Sequence, residues 1–360
     1  MTKRVRILTV LGTRPEIIRL SRIMPRLDAV SDHRVLHTGQ NFDSNLSDIF
    51  FDQLALRAPD VTVQSRGSVA QQLASMYQAV EQSILEFQPD RVLILGDTNS
   101  GLTAVICERM GVPVYHMEAG NRCYDLRVPE EKNRRLIDSV SSVNLPYTEL
   151  SRQNLLREGA HNSRVAVVGN PIREVINHYQ PQIAQSSVLQ DLGLRPDAYA
   201  VATAHRAENV DDPGTLQQIM QALQHIGQDM PVVFSCHPRT RARLQQMDTP
   251  RGVIMTDPMG FFDWVHLEQH AALAISDSGT VQEEMCLFHR PTITIRTTTE
   301  RPETVWCGSN IVAGVEYAEI MTAYALCQDL DRNWQPPAEY LRTNVSDTVI
   351  NILLGRQCQT

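Results

Sequence analysis

The run Val112-Pro113-Val114-Tyr115-His116-Met117-Glu118-Ala119-Gly120-Asn121-Arg122 decides the fold. Its apolar start, Val112 to Tyr115, reads as a buried strand that delivers the Glu118 carboxylate to its C-terminal edge. Shortly beyond, Pro129-Glu130-Glu131-Lys132-Asn133-Arg134 opens a helix, with Pro129 marking its start. In an open α/β sheet that strand edge is where ligands bind. Acids and arginines gathered there point to proton chemistry beside an anionic ligand.

The same alternation runs outward along the chain. Strands are expected at Arg6–Leu11, Arg34–His37, Arg91–Leu95, Val112–His116 and Val165–Val168, then at Tyr199–Thr203, Val232–Ser235, Val253–Met255, Leu273–Ile275, Thr292–Ile295 and Ile311–Val312. Helical periodicity appears at Ile17–Leu27, Val69–Phe87, Leu102–Met110, Glu130–Val140, Leu150–Glu158, Leu216–His225 and Val315–Leu326. Such alternation predicts an α/β protein with parallel sheets built from βαβ units. A break near Gly169-Asn170-Pro171, and a restart at Tyr199, divide it into two Rossmann-like doubly wound domains facing a cleft. The expected bounds are 1–170, 171–342, and a last helix within 343–360 that crosses back to the first domain.

At 360 residues the chain is long enough for two such domains. A formal net charge of -8 argues against a nucleic-acid backbone as partner. Seven cysteines, Cys107, Cys123, Cys236, Cys286, Cys307, Cys327 and Cys358, are scattered without a Cys-x-x-Cys pair. That argues against a disulfide framework or a zinc site and fits a reducing compartment. Basic Met1 to Arg6 leads into a short strand and then a glycine turn, not a signal peptide, and no segment reaches membrane-spanning length. A cytoplasmic protein without membrane partners is expected.

Several strand-end loops carry candidate chemistry. Gly12-Thr13-Arg14-Pro15-Glu16 joins the first strand to a helix, where exposed amides and Arg14 suit a phosphate; Arg19 adds a second cation. Gly96-Asp97-Thr98 closes another strand, and Asp97 is either a helix cap or a catalytic acid. Asp97, Glu118 and Glu130 on neighbouring edges would repel unless they share protons or meet cations, which tunes them for acid–base work. Thr203-Ala204-His205-Arg206 can bind a diphosphate, or His205 can be satisfied by local backbone; Cys236-His237-Pro238-Arg239 is similar but weaker. Ser276-Asp277-Ser278-Gly279-Thr280 lets backbone approach a ligand, and an acid one turn later can bind ribose hydroxyls. Thr297 to Glu303 forms a further loop into a helix. Trp264, Phe261 and Phe262 offer a base-stacking face or simply core. The histidines lack metal-ligand spacing, so no metal is expected.

Taken together, these motifs resemble the non-hydrolysing UDP-N-acetylglucosamine 2-epimerase family. The resemblance spans nearly the whole chain: GTRPE (12–16), TGQ (38–40), GDT (96–98), EAG-x-R (118–122), PEE-x-N-R (129–134), SRQNLLREG (151–159), AHR-x-E-N (204–209), DSG-x-x-QEE (277–284) and TTERPE (298–303) occur in order. It implies a glycosyltransferase-B-like fold and a homodimer acting on a UDP-N-acetyl sugar without NAD or another cofactor. UDP is eliminated as the C2 proton leaves, giving an enzyme-held glycal, and UDP re-adds after protonation of the other face. Domain closure is the expected gate. By resemblance Asp97, Glu118 and Glu130 are the acid–base carboxylates, with Arg19 and His205 also at the catalytic centre. Arg14, His205, Trp264, Ser278, Gly279, Glu284 and Arg301 bind UDP, and Gln40 and His237 stand where some members have a regulatory site. Many members carry Lys at the position of Arg19; Arg keeps the charge but does not serve as a base. The stretches GTRPEIIRLSR (12–22), HTGQNFD (37–43), IFFDQL (49–54) and EAGNRCYDLRVPEE (118–131) are most similar to the branch that epimerises UDP-2-acetamido-2,6-dideoxyhexoses toward UDP-N-acetyl-L-fucosamine, for capsule and O-antigen assembly.

Overall fold

The computed structural model describes residues 4–40, 44–244 and 250–355. Met1 to Lys3, the Asn41-Phe42-Asp43 end of the HTGQNFD stretch, and Cys358 lie outside the described residues. The chain divides into two compact units, Met1–Val175 with Glu339–Thr360, and Ile176–Ala338.

The first unit holds strands β1 (Arg6–Leu11), β2 (Asp32–His37), β3 (Val61–Thr62), β4 (Arg91–Leu95), β5 (Val114–Met117) and β6 (Val143–Leu145). They pair in parallel in the order β3-β2-β1-β4-β5-β6. The second unit repeats the plan with β7 (Ala200–Thr203), β8 (Val232–Ser235), β9 (Val253–Thr256), β10 (Leu273–Ser276), β11 (Thr292–Thr294) and β12 (Asn310–Val312), ordered β12-β11-β10-β7-β8-β9. Each sheet winds one way from its first strand and then the other. The direction therefore switches between β1 and β4 and again between β7 and β10, which are the ligand-binding positions of a doubly wound sheet.

The central strands are covered on both faces, which is why they read as unbroken apolar runs. Leu8, Val10, Val92, Ile94 and Val114 pack against Val80, Ile84 and Phe87 of the helix Val69–Phe87. Each such Val, Leu, Ile or Phe side chain contributes about 1.5–3 kcal/mol by burial. Ser68 starts that helix by accepting from the Gln71 amide, and Gln88 ends it in the left-handed region. The helix Val345–Leu354 packs in the first unit, where Glu174 accepts from the Ser346 amide at 2.9 Å and Asp347 pairs with Arg26.

Two expectations need correction. The helix foreseen over Ile17–Leu27 is two helices, Arg14–Leu20 and Met24–Val30. Pro25 lacks an amide hydrogen, and its ring would strike the residue 21 carbonyl in a continuous helix. Val165–Val168 is not a strand; it makes one isolated bridge to Asn144 in β6. The Val168 amide donates to the Pro146 carbonyl, but Pro146 has no N–H to return, so the ladder stops. The strand there, Val143–Leu145, escaped notice because three residues before a proline carry little pattern.

Candidate active site

The first unit's switch point is built by the loops after β1 and β4. A Cβ on Gly12 would lie 1.9 Å from Thr38 Oγ1 and 2.4 Å from Ser100 Oγ, so only glycine lets these loops close together. Glu16 then ties them. Its Oε2 accepts the Gly12 amide at 2.5 Å and the Thr13 amide at 3.1 Å, while Oε1 accepts the Thr98 hydroxyl at 2.7 Å. Burial pushes the Glu16 carboxyl up to about 7, although each of those bonds pulls it down. Arg14, half-buried, lies over the Phe50 ring at 5.8 Å, and desolvation lowers its pKa. Arg19, in the last turn of the same helix, is buried. Gln40 accepts from the Ser100 amide and hydroxyl, both at 3.1 Å, which places it against the β4 loop.

The carboxylates are organised by the helix Pro129–Val140. Arg134, almost wholly buried, pairs with Asp97 and stands 3.8 Å from Glu118. One turn earlier on the same helix face is Glu130. Asn133 holds the loop itself by donating to the Asp97 carbonyl at 3.0 Å. Glu131 holds the next loop by accepting the Cys123 amide at 2.9 Å. A guanidinium between two acids allows both to stand close without mutual repulsion. The backbone turns sharply after β5: Glu118 sits at φ 64, and a Cβ on Gly120 would come within 2.2 Å of the Ser151 carbonyl. A residue other than glycine in the left-handed region is strained, a feature that clusters at functional sites.

Behind these acids is a second charged layer. Asp138 accepts the Gly120 amide at 3.1 Å, pairs with Arg122 at 2.7 Å and meets His116 Nδ1 at 2.9 Å, while His116 Nε2 faces the Gly96 carbonyl at 2.8 Å. Burial pushes the Asp138 carboxyl up, but His116 and Arg122 outweigh it and hold it low. Sequence reasoning assigned nothing to Glu16, Arg134, His116 or Asp138. The motif PEE-x-N-R was the available signal for Arg134.

In the second unit the loops after β7 and β10 meet at Asp277, which is fully buried. Its Oδ2 accepts the His205 amide at 2.8 Å, the Arg206 amide at 2.9 Å and Asn209 Nδ2 at 3.1 Å, and His205 Nδ1 stands 3.0 Å from Oδ1. His205 leaves its side chain 44% exposed, enough to meet a ligand. The His237 ring lies 6.5 Å from it, so the loops after β7 and β8 approach each other as well.

Ser278 precedes the helix Gly279–Leu287, and the ideal Cβ of Gly279 would touch Arg301 at 3.6 Å. Arg301 is itself fixed by Glu283. Ser278, Gly279, Arg301 and the His205 loop are thus organised around β10. Glu284 is buried beside Glu268, whose carboxyl is raised by burial first and by Glu284 next. Trp264 packs against the core that includes Val201, Leu267 and Met285. Gln40 and His237 belong to different units. Among the described residues no cluster of His, Cys, Asp and Glu could hold a metal ion.

Twin doubly wound sheets, one with paired acids at its strand ends and the other with loops gathered on Asp277, have the two-domain α/β plan of a glycosyltransferase-B-like fold. Comparison with known proteins sharpens that class. The profile of the family described as UDP-N-acetylglucosamine 2-epimerase matches residues 26–354, and the chain belongs to that family. It is 36% identical to the UDP-N-acetylglucosamine 2-epimerase of Methanocaldococcus jannaschii, over 91% of this chain and 93% of that one. It is 37% identical to the UDP-2,3-diacetamido-2,3-dideoxy-D-glucuronate 2-epimerase of Pseudomonas aeruginosa, over 86% and 88% of the two chains. The crystal structure of the M. jannaschii enzyme in complex with UDP-GlcNAc and UDP superposes with a TM-score of 0.91 at 34% identity, covering 96% of this chain and 99% of that one. The chain is, with these relatives, an isomerase.

Proposed function

We propose that the chain is a non-hydrolysing UDP-N-acetylhexosamine 2-epimerase that inverts C2 by eliminating and re-adding UDP through a glycal. The observation that carries this reading is Arg134, which pairs with Asp97 and stands 3.8 Å from Glu118, two acids from separate strand ends. A C2 proton is weakly acidic, so its removal needs positioned carboxylates. Asp97, Glu118 and Glu130 supply them, and an acid for each face of C2 accounts for more than one. The second unit holds the nucleotide: His205, Arg301 and the Ser278-Gly279 amides take the diphosphate, and Glu284 the ribose. Cations on the diphosphate make UDP a better leaving group and keep it for the return step.

The substrate we infer is UDP-2-acetamido-2,6-dideoxy-L-talose, giving UDP-N-acetyl-L-fucosamine. Its support is the similarity of residues 12–22, 37–43, 49–54 and 118–131 to that branch. The names of several relatives favour a second reading, UDP-GlcNAc to UDP-ManNAc.

Incubation with each UDP-sugar in heavy water tests both levels. Deuterium is expected at C2, with faster turnover of the 6-deoxy sugar; no deuterium from either sugar would refute the epimerase, and faster UDP-GlcNAc turnover would refute the branch. Glu118→Gln is expected to lower turnover by about 10²–10⁴-fold while UDP binding persists. An unchanged rate removes Glu118 from the mechanism.

A further inference from the structure

Among the described residues one pair of cysteines meets: the sulfurs of Cys286 and Cys307 are 3.7 Å apart, close to van der Waals contact. Cys286 is wholly buried near the end of the helix Gly279–Leu287, and Cys307 directly follows the helix Pro302–Trp306 and is partly exposed. The surrounding contacts hold the two segments in register. Arg301 pairs with Glu283, Thr299 donates to Gln282 at 2.6 Å, and Asn310 donates to Gln282 and to Thr304, both at 3.1 Å. Ser309 Oγ lies 3.4 Å from the Cys307 sulfur and donates to the Thr304 carbonyl at 3.0 Å.

We propose that Cys286 and Cys307 are a reversible dithiol–disulfide couple, with the partly exposed Cys307 as attacking thiol and the buried Cys286 as resolving thiol. Glutathione disulfide, or a small disulfide of that class, is the oxidant. The Cys307 thiolate attacks one oxidant sulfur, breaking its S–S bond and releasing one glutathione thiolate. The Cys286 sulfur then attacks Cys307 in the mixed disulfide, forming the protein S–S bond and releasing the second glutathione. Two electrons pass from the protein thiols to the oxidant, and their two protons leave on the two glutathione thiols. Contact with the Cys286 sulfur lowers the Cys307 pKa from the ordinary thiol range, which favours this division of roles.

A disulfide needs the sulfurs at about 2.05 Å, so oxidation draws the two segments together. Both carry residues to which the proposed function gives the nucleotide: Ser278, Gly279 and Glu284 on one, Arg301 on the other. The consequence for UDP rests on that reading, but the cross-link does not. The folded, full-length protein is to be treated with glutathione disulfide, its remaining thiols blocked, and its peptides mapped by mass. The expected product is a Cys286–Cys307 linked peptide, reversed by dithiothreitol, with UDP binding by calorimetry weakened about tenfold by the displaced loops and restored on reduction. Cys286→Ala is expected to trap a glutathione adduct on Cys307, and Cys307→Ser to abolish the cross-link.

A wild-type protein that stops at a stable glutathione adduct or links other cysteines overturns the proposal, and equal UDP binding in both redox states overturns its consequence for the nucleotide. If the reduced protein does not bind UDP, the reading of function fails, and the linked peptide still decides the dithiol.

Discussion

Glu16 in the first unit and Asp277 in the second do the same mechanical job with opposite electrostatics. Each is a buried carboxylate that gathers backbone amides at a switch point and ties two strand-end loops together. Burial pushes both carboxyls up. For Asp277 the His205 ring, with Nδ1 3.0 Å from Oδ1, leads the opposing effects, the His205 and Arg206 amides add to it, and the carboxyl ends far below its usual range. Glu16 is opposed by two amides and two hydroxyls, all neutral, and it stays near 7. At Glu16 the neutral donors do not offset burial, whereas at Asp277 the His205 and Arg206 contacts do.

The largest effect is expected from removing the charged anchor. Asp277→Ala leaves the His205 and Arg206 amides without their acceptor and the Asn209 amide group with only the Ile295 carbonyl, at a cost of about 3–5 kcal/mol. Urea denaturation measures it. Asp277→Asn sharpens the comparison, because it retains an acceptor but not the charge. A large fraction of the alanine loss is expected to remain; an asparagine variant as stable as the parent would show that the amides, not His205, carry the anchor.

Glu16 should reveal itself through pH. Its folded pKa is raised from 4.5 to about 7, so its contribution to stability is fully present below about pH 4.5 and is lost as pH rises through 7. Relative to Glu16→Gln, which carries no proton equilibrium, the parent is expected to lose about 3 kcal/mol across that window. Denaturation of both proteins at pH 5 and pH 8 checks the sign. An equal difference at the two pH values would mean that Glu16 folds as an ordinary carboxylate and that the contrast with Asp277 is false.

The architecture was legible because strands buried on both faces must be continuous apolar runs, and because Pro129 and Pro302 mark helix starts. The acids Asp97 and Glu118 were legible as strand-end residues. Their shared partner was not, since Arg134 lies 37 residues beyond Asp97 and helical spacing does not record which strand-end loop a side chain meets. Glu16 was hidden for a different reason. Gly-Thr-Arg-Pro-Glu looks like a local helix start, and nothing in it records that Thr98 closes over the carboxyl. Cys286 and Cys307 read as two of seven scattered residues, because proximity across two helices leaves no trace in spacing.

The smallest expected effect isolates one neutral donor. Thr98→Val keeps shape but removes the hydroxyl that donates to Glu16 Oε1 at 2.7 Å. A lost buried hydrogen bond costs about 1 kcal/mol, and here the cost should depend on pH. Above pH 7 the ionised Glu16 loses a donor in a dry site; below pH 4.5 the protonated acid loses only a hydroxyl partner. The destabilisation is therefore expected to grow with pH, and the Glu16 midpoint, read from the pH dependence of stability, to move upward from about 7. Because Thr98 adjoins Asp97, turnover reports whether this tie also sets the acid–base geometry. A Thr98→Val protein with an unmoved midpoint would break the account of Glu16, since a hydroxyl that lowers the carboxyl pKa cannot be removed without raising it.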